Sequence, residues 1–194
     1  MSTPPSPSAS QPAPQSSWIW LVAIALGAIW MGYLAFFGPR GRFSARQVPE
    51  LAASGNYGRA DAIWTLRDMD GKPVDFQQFR GRPIFLNVWA TWCPPCVAEM
   101  PSINRLASNP RVKDVAFLCV SVEENAQPVG QFAKEHSLTV PVYLGGAEAP
   151  RVFQTEGIPA TFLIDRDGNV VAKEIGSRNW DDEKVIATLE NLAK

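Results

Sequence analysis

The sequence predicts an α/β fold in which a mixed sheet is covered by helices and preceded by one N-terminal transmembrane helix. Residues 18–37 form an uncharged apolar run of the length that a membrane crossing needs. PIFLNVWA (83–90) and VAFLCVSV (115–122) are continuous apolar runs, as expected of central strands buried on both faces. Asp-Gly pairs at 70–71 and 167–168 mark the turns of two hairpins, so the sheet is not purely parallel.

The first 56 residues divide into three segments of different composition. Residues 1–17 consist almost wholly of Pro, Ser, Ala and Gln, and we expect a disordered tail. Residues 18–37 carry no charge, and at about 1.5 Å per residue they span a hydrocarbon layer of roughly 30 Å. The basic segment and small-residue cleavage site of a cleaved signal peptide are missing, so an uncleaved anchor is favoured. Residues 38–56, rich in Gly, Pro, Ser and Arg, predict a juxtamembrane linker.

Residues 57–194 have the size and patterning of one folded domain with its own core. Its predicted elements, in chain order, are two strands around a turn (62–76), a strand (83–90), a helix (93–108), a strand (115–122), a helix (128–137), a short strand (140–146), a short helix stopped by Gly157 (149–157), two strands around a turn (160–176) and an amphipathic helix (180–194). Apolar residues at helical spacing, Val97, Met100 and Ile103 among them, support the first helix.

The composition excludes several classes of protein. The formal net charge is -1, with 18 basic and 19 acidic side chains, so no nucleic-acid partner is expected. The one histidine, His136, excludes a multi-histidine metal site and lies in a polar run typical of a helix surface. Three cysteines are too few for a disulfide scaffold. Cys119 stands alone within an apolar strand pattern, where we expect it to be buried and inert.

The stretch WATWCPPCVAEM (89–100) carries the chemistry. A zinc site needs a second cysteine pair or added histidines, and neither is nearby. A structural disulfide that closes so small a loop gains little chain entropy. A redox pair fits, because Cys93 lies where a buried strand ends and a helix begins, and the helix dipole there lowers the pKa of its thiol. Cys96, one turn into the helix, is shielded and placed to resolve a mixed disulfide.

Two longer motifs, NVWATWCPPCVAEMPSINRL (87–106) and GIPATFLIDRDGNVV (157–171), resemble the thioredoxin superfamily. More narrowly, the chain resembles the membrane-anchored TlpA/ResA/CcmG-type thiol-disulfide oxidoreductases over about residues 57–194. The resemblance implies a thioredoxin-like fold with an added N-terminal hairpin and a central insertion. It also implies that Cys93 is the exposed attacking thiol and that Cys96 is the resolving thiol.

The resemblance also describes the substrate side of the site. It implies that Pro159 is a cis-proline facing the cysteine pair, and that Ile158 offers its backbone to an extended substrate segment. The residues alone favour an ordinary trans turn proline at 159, because only about 5–6% of X-Pro bonds are cis. We expect Trp92 to form a lip of the substrate groove, with simple core packing as the alternative.

The proton acceptor is the point at which the chain departs from thioredoxin. Asn87 stands where thioredoxin has a buried aspartate six residues before the first cysteine, and an amide does not take a proton. Glu99, three residues after Cys96 and on the same helix face, matches the glutamate that ResA-like members use beside their pair. We therefore expect a catalytic role for Glu99, with a solvated helix glutamate as the alternative.

The two prolines between the cysteines affect the thiolate. Pro94 and Pro95 have no backbone N–H, which leaves the N–H groups of Cys96 and Val97 to meet the Cys93 sulfur. Strong oxidants of the superfamily owe their acidic thiol partly to a histidine between the cysteines, and this chain has none there. We therefore expect a moderate pKa for Cys93 and a reducing poise.

The favoured function is a membrane-tethered reductant of protein disulfides that needs no cofactor and no metal. The resemblance implies protein dithiol or disulfide substrates, such as apocytochrome c or an oxidase copper-site protein, and a membrane thiol transporter as electron donor. Two alternatives stay open. One is a thiol peroxidase, and the other is a Cu(I) metallochaperone that would use Met100 beside the two thiolates.

Two signals for location disagree. The resemblance implies a single-pass protein anchored in the lipid of the inner (cytoplasmic) membrane, with its catalytic domain on the periplasmic or extracytoplasmic side. Arg40, Arg42 and Arg46 follow the apolar run and no arginine precedes it, so the positive-inside rule would place the domain in the cytoplasm. Because that rule is statistical, we expect the extracytoplasmic side.

Overall fold

The computed structural model describes residues 26–27, 57–60 and 63–194. Leu26 and Gly27 are helical and lie within the predicted anchor; the rest of the predicted tail, anchor and linker lies outside the described residues. No helix among the described residues combines the length and the apolar composition that a membrane crossing requires.

Seven strands form one mixed sheet in the order β2-β1-β5-β4-β3-β6-β7. The strands are β1 (Thr65–Arg67), β2 (Pro73–Asp75), β3 (Ile84–Trp89), β4 (Ala116–Ser121), β5 (Val142–Leu144), β6 (Ala160–Ile164) and β7 (Val170–Ile175). Strands β3, β4 and β5 are parallel neighbours, whereas β1, β2, β6 and β7 pair antiparallel. Both predicted hairpins are confirmed, and each turn has its glycine at positive φ, 80° at Gly71 and 84° at Gly168.

Within residues 63–194, three α-helices accompany the sheet: α1 (Pro94–Ala107), α2 (Ala126–Glu135) and α3 (Glu183–Leu192). Single 3-10 turns occur at Phe76–Phe79, Pro110–Val112, Gly146–Glu148 and Arg151–Phe153. The prediction of a helix over 149–157 was wrong except for the single 3-10 turn at Arg151–Phe153. The chain is already extended at Gln154, and the Thr155 hydroxyl then bonds the backbone of Gly157, which favours a turn over continued helix.

The central strands are buried on both faces, as predicted, and their side chains divide between two cores. Phe85 and Trp89 of β3 point to the face on which α1 contributes Met100, Ile103 and Leu106. Alternate β3 residues face the other core, which is covered by aromatic residues that precede and follow the central strands: Trp64, Phe76 and Phe153. Asn87 lies on the α1 face, so that a polar side chain is buried directly beneath the helix that carries the cysteines.

The sheet register brings two distant segments together at one edge. Val88 near the end of β3 is opposite Ala160 at the start of β6, and the two strands run antiparallel. The turn that leaves β3 toward Cys93 therefore lies beside the turn that enters β6 through Pro159. This edge of the sheet holds the candidate site.

Candidate redox site

Cys93 and Cys96 form a disulfide at the N-terminus of α1, with their Cα atoms 5.3 Å apart. Cys93 is the N-cap, and the Cys96 N–H donates to its sulfur at 3.3 Å. The expectation for Val97 was wrong, because its N–H donates to the Cys93 carbonyl at 3.1 Å as the helix begins. With prolines at the first two helical positions, the Cys96 N–H is the backbone donor that remains for a Cys93 thiolate.

The accessibility of the two sulfurs differs less than predicted. Cys93 is 4% exposed and Cys96 is fully buried. The expectation of an exposed Cys93 is therefore wrong for the disulfide form, in which its sulfur is bonded to Cys96 and lies 3.7 Å from the Ile158 carbonyl. The ranking still holds, since Cys93 is the cysteine of the pair that solvent reaches.

The segment at Ile158 and Pro159 lies against the disulfide. The Ile158–Pro159 peptide bond is cis, as the resemblance implies and as the residues alone did not favour. The carbonyl oxygen of Ile158 lies 3.7 Å from the Cys93 sulfur. A substrate cysteine that bonds to Cys93 must therefore approach past this backbone, whose carbonyl is available as an acceptor.

Trp92 lies beside this approach and is 66% exposed, so the core-packing alternative is wrong. Its side chain and Ile158 line one groove of about 470 Å³. Apolar residues form much of the groove, including Val88, Val122 and Phe153. A groove of this size next to the disulfide can hold the side chains that flank a substrate cysteine.

Glu99 is buried beneath α1, with only 2% of its surface exposed, so the solvated alternative is wrong. Its carboxylate accepts hydrogen bonds from Trp180 Nε1 at 2.9 Å, from Asn87 Nδ2 at 2.8 Å and from the Arg178 backbone N–H at 3.3 Å. Burial raises the pKa of Glu99 to about 7, and these hydrogen bonds lower it only in part. A carboxyl group with this pKa exchanges its proton near neutral pH.

Two partners of Glu99 were not identified from the sequence. Trp180 and Arg178 precede α3, about 80 residues along the chain, and no local pattern links them to a glutamate on α1. The Arg178 guanidinium packs over the Trp180 ring at 5.0 Å and contacts Asp182 at 3.2 Å. This arrangement fixes the indole whose N–H meets Glu99.

Glu123 is a further residue that the sequence analysis missed. Its carboxylate accepts hydrogen bonds from the Thr91 N–H at 3.0 Å, the Thr91 hydroxyl at 2.6 Å and the Ser121 hydroxyl at 2.9 Å. It thereby ties the turn before Cys93 to the end of β4. A glutamate in a polar loop after a strand carries no sequence signal for this role.

The remaining sequence candidates lie outside the site. Cys119 is fully buried in β4, and burial raises the pKa of its thiol far above the usual range, as expected of an inert residue. His136 is exposed at the end of α2 and stacks on Phe132 at 3.9 Å. Within the described ranges, no group of three or more His, Cys, Asp or Glu side chains is arranged to hold a metal ion.

Three features define a thioredoxin-like thiol-disulfide oxidoreductase site: a mixed sheet, a C-x-x-C disulfide that caps a helix, and a cis-proline whose preceding carbonyl lies 3.7 Å from the first sulfur. Residues 46–189 match the Redoxin family, and the chain belongs to it. ResA, a thiol-disulfide oxidoreductase of Bacillus cereus, is 30% identical over 159 residues, which cover 81% of this chain and 88% of that protein. Its counterpart in Geobacillus thermodenitrificans is 35% identical over 124 residues, 62% of this chain and 70% of that protein.

Solved structures agree with this assignment. A thiol:disulfide interchange protein of the thioredoxin family from Chlorobium tepidum superposes with a TM-score of 0.59 at 28% identity, over 71% of this chain and 99% of that one. StoA of Bacillus subtilis has the same fold, with a TM-score of 0.56 at 23% identity over 71% of this chain and 100% of that one. The protein is thus a ResA/CcmG-like thiol-disulfide oxidoreductase of the thioredoxin superfamily, and its substrates are protein thiols.

Proposed function

We propose that the protein is a membrane-tethered reductant of protein disulfides, with Cys93 as nucleophile, Cys96 as resolving thiol and Glu99 as the group that exchanges the proton. The observation that carries the proposal is the burial of Glu99 one helical turn after Cys96, with a pKa of about 7. Residues three apart on a helix lie on one face, roughly 5–6 Å apart at Cβ. A proton acceptor is therefore placed beside the thiol that must be deprotonated second.

The first step is attack of the Cys93 thiolate on one sulfur of a substrate disulfide. A new S–S bond forms between Cys93 and the substrate, the substrate disulfide breaks, and one substrate thiolate leaves and takes up a proton. The Cys96 N–H, 3.3 Å from the Cys93 sulfur, and the positive end of the α1 dipole both stabilise the thiolate before attack. The groove lined by Trp92 and Ile158 holds the substrate segment.

The second step resolves the mixed disulfide. Glu99 takes the proton of Cys96, and the Cys96 thiolate then attacks the Cys93 sulfur. The bond between Cys93 and the substrate breaks, the second substrate thiolate leaves, and the Cys93–Cys96 disulfide forms. The substrate has gained two electrons and two protons, and Glu99 passes its proton to the leaving thiolate or to solvent.

The reducing direction rests on what lies between the cysteines. Pro94 and Pro95 supply neither a cation nor an N–H donor, so the Cys93 thiolate is stabilised less than in a strong oxidant. A less stabilised thiolate makes the disulfide the preferred state and the dithiol a better reductant.

Substrate, donor and location follow from the resemblance and from the composition of the first 56 residues. We propose that residues 1–17 are a disordered tail, that 18–37 anchor the chain in the inner (cytoplasmic) membrane, and that 38–56 link the anchor to the extracytoplasmic domain. Suitable substrates are the haem-attachment cysteines of apocytochrome c or the copper-site cysteines of an oxidase. A membrane thiol transporter would return electrons to the Cys93–Cys96 pair.

The reduction potential tests the direction. The full chain in detergent is equilibrated with glutathione and with a thioredoxin couple, and the fraction of Cys93–Cys96 disulfide is measured after acid trapping. We expect a potential nearer the thioredoxin end of the range, about -270 mV, than the strong-oxidant end, about -120 mV. A value near the oxidant end contradicts the reductant role.

The two alternative functions gain no support from the site. The Thr91 hydroxyl, the one element of a peroxidase pattern near the cysteines, is bonded to Glu123 at 2.6 Å. Met100, the candidate third ligand for Cu(I), is fully buried in the core beneath α1. Peroxide consumption by the reduced protein would favour the first alternative, and Cu(I) binding that is lost in a Cys93→Ser, Cys96→Ser variant would favour the second.

A further inference from the structure

Four arginines line a cavity of about 90 Å³ on the described domain: Arg59, Arg80, Arg82 and Arg166. Asp165 and Asp167 are the acidic residues of the same lining, so the guanidinium groups outnumber the carboxylates. The cavity has room for about three water molecules, taking about 30 Å³ for each, or for one group of phosphate size. An excess of fixed guanidinium groups around such a space is the chemistry that recognises phosphate.

The guanidinium groups of Arg82 and Arg166 are held by backbone carbonyls. Arg82 donates to the carbonyls of Asp114 and Val115 at 3.2 and 3.3 Å, and Arg166 donates to the carbonyl of Ala193. Among the described residues, neither arginine lies within ion-pair distance of a carboxylate. Carbonyl contacts orient a guanidinium without cancelling its charge, so the positive charge remains available to an anion.

One of the two carboxylates in the lining is already engaged. Asp165 accepts hydrogen bonds from the backbone N–H of Asn169 at 2.7 Å and from its side-chain amide at 2.8 Å. These bonds close the turn between β6 and β7 and keep that carboxylate directed at its own loop. Arg80, in contrast, is exposed on the segment that leads into β3, where its guanidinium can turn toward a bound anion.

The cavity lies at the opposite end of the sheet from the disulfide. Ile84, the first residue of β3, and Ile164, the last of β6, both line it. Strand β3 then runs six residues to Trp89, at the edge that holds the redox site. At about 3.3 Å per residue the two sites are separated by roughly 20 Å along the strand, so an anion in the cavity does not occupy the redox groove.

The chain also enters the domain at this end. Arg59 pairs with Asn169 in an isolated bridge, and the Ala60 N–H donates to the Gly168 carbonyl at 2.7 Å. The residues that precede this point include the uncharged apolar run of 18–37 and a linker with three further arginines. The described part of the domain therefore begins, at residues 57–60, next to the arginine cavity.

We propose that this cavity binds the phosphate of an anionic phospholipid headgroup. The bound headgroup holds this end of the domain at the lipid surface and directs the Cys93–Cys96 pair away from it. The tethered enzyme then presents its thiols to partners that project from the bilayer. The inference rests on the membrane tether of the proposed function and does not depend on the direction of the redox reaction.

Arginine modification tests the proposal with the full chain. The chain is reconstituted into vesicles of phosphatidylcholine alone or of phosphatidylcholine with phosphatidylglycerol, treated briefly with phenylglyoxal and mapped by mass spectrometry. We expect Arg80 and Arg166 to be protected several-fold in the anionic vesicles. Arg151, which is exposed in the turn before the redox groove, should react equally in both and serves as the internal control.

Variants and a soluble anion complete the test. Arg80→Gln should weaken the protection of Arg166 about fivefold in half-saturating lipid, whereas Arg80→Lys should retain most of it and Arg151→Gln all of it. Inorganic phosphate added to phosphatidylcholine vesicles should protect far less than anionic lipid does; equal protection would overturn the lipid assignment in favour of a soluble phosphate. If Arg80 and Arg166, like Arg151, react to the same extent in the two kinds of vesicle, the cavity does not bind a lipid phosphate and the proposal is overturned. Disulfide reduction of a soluble substrate, measured in the same samples, should be unchanged by Arg80→Gln.

Discussion

Asn87 donates its amide to Glu99 at 2.8 Å, while its own carbonyl oxygen Oδ1 has no hydrogen-bond partner among the described residues. The two ends of an amide have nearly the same shape, and one donates where the other accepts. Rotation of the side chain by half a turn would let the Asn87 carbonyl oxygen accept a hydrogen bond from the carboxyl group of a neutral Glu99. Asparagine thus suits both protonation states of its neighbour, whereas an aspartate at 87 would place two carboxylates side by side and force one to stay protonated.

Glu99→Gln should slow resolution of the mixed disulfide and remove its pH dependence near neutrality. Glutamine keeps the size of the side chain but does not take the proton of Cys96, so the rate should fall about 10²-fold or more. Stopped-flow measurement of thiol release from a model disulfide between pH 5 and 9 checks this. An unchanged rate and pH profile would show that Glu99 has only a structural role.

The stability of the oxidised protein should fall as the pH rises through neutrality. The pKa of Glu99 is raised from 4.5 to about 7 in the folded protein, so the folded state binds this proton more tightly than the unfolded state. The stabilisation that protonated Glu99 gives the folded state is fully present below about pH 4.5 and is lost as the pH rises past 7. The difference amounts to about 3 kcal/mol in the free energy of unfolding.

Denaturant unfolding at pH 5 and pH 8 measures this difference, and Glu99→Gln is the matched control. In the variant, the free energy of unfolding should decrease much less between pH 5 and pH 8. The reason is that burial raises the pKa of Glu99 to about 7, and glutamine has no such group. Equal decreases in the wild-type chain and the variant would show that another group is responsible.

The parts of the fold that the sequence predicted are those that local pattern determines. The apolar runs became β3 and β4, the Asp-Gly turns became hairpins, and the cysteine pair lies at a helix N-terminus. The environment of Glu99 was not predictable, because it depends on Arg178 and Trp180, about 80 residues away in the segment before α3. The helix predicted over 149–157 is limited to one turn, since the backbone is extended from Gln154 and the Thr155 hydroxyl then bonds to Gly157.

Glu123→Ala should loosen the turn that carries Trp92 and Cys93. The carboxylate of Glu123 receives three hydrogen bonds from Thr91 and Ser121, and bonds to a charged acceptor contribute about 1.5–3 kcal/mol each where they are buried. Because the site is only partly buried, we expect a loss of about 2 kcal/mol in the free energy of unfolding. Denaturant unfolding of the oxidised chain checks the value.

Glu124→Ala is the matched control, because Glu124 is the exposed neighbour in the same loop. It should change stability by less than about 0.5 kcal/mol, as surface substitutions usually do. The fluorescence anisotropy of a probe placed on the Trp92 turn should fall in Glu123→Ala and stay constant in Glu124→Ala. Equal effects of the two substitutions would show that Glu123 does not stabilise the turn that carries Trp92 and Cys93.

The cysteines should differ in reactivity in the order Cys93, Cys96, Cys119. In the reduced protein, Cys93 has the helix N-terminus and the Cys96 N–H to stabilise its thiolate, and it is the member of the pair that solvent reaches. Cys96 is fully buried, and burial raises the pKa of the Cys119 thiol. Limited alkylation near pH 7, followed by peptide mapping, should therefore label Cys93 first and leave Cys119 unlabelled.

Trapping of partners distinguishes the attacking from the resolving thiol. Cys96→Ser leaves the Cys93–substrate disulfide without a group to break it, so mixed disulfides should accumulate on the membrane-bound chain. Cys93→Ser leaves the buried Cys96 and Cys119 and should trap far fewer partners. Non-reducing electrophoresis of acid-quenched membranes, with Cys119→Ser as the variant that should trap none beyond background, measures the difference. More trapping by Cys93→Ser than by Cys96→Ser would reverse the two roles, because the cysteine that forms the mixed disulfide is the one that attacks first.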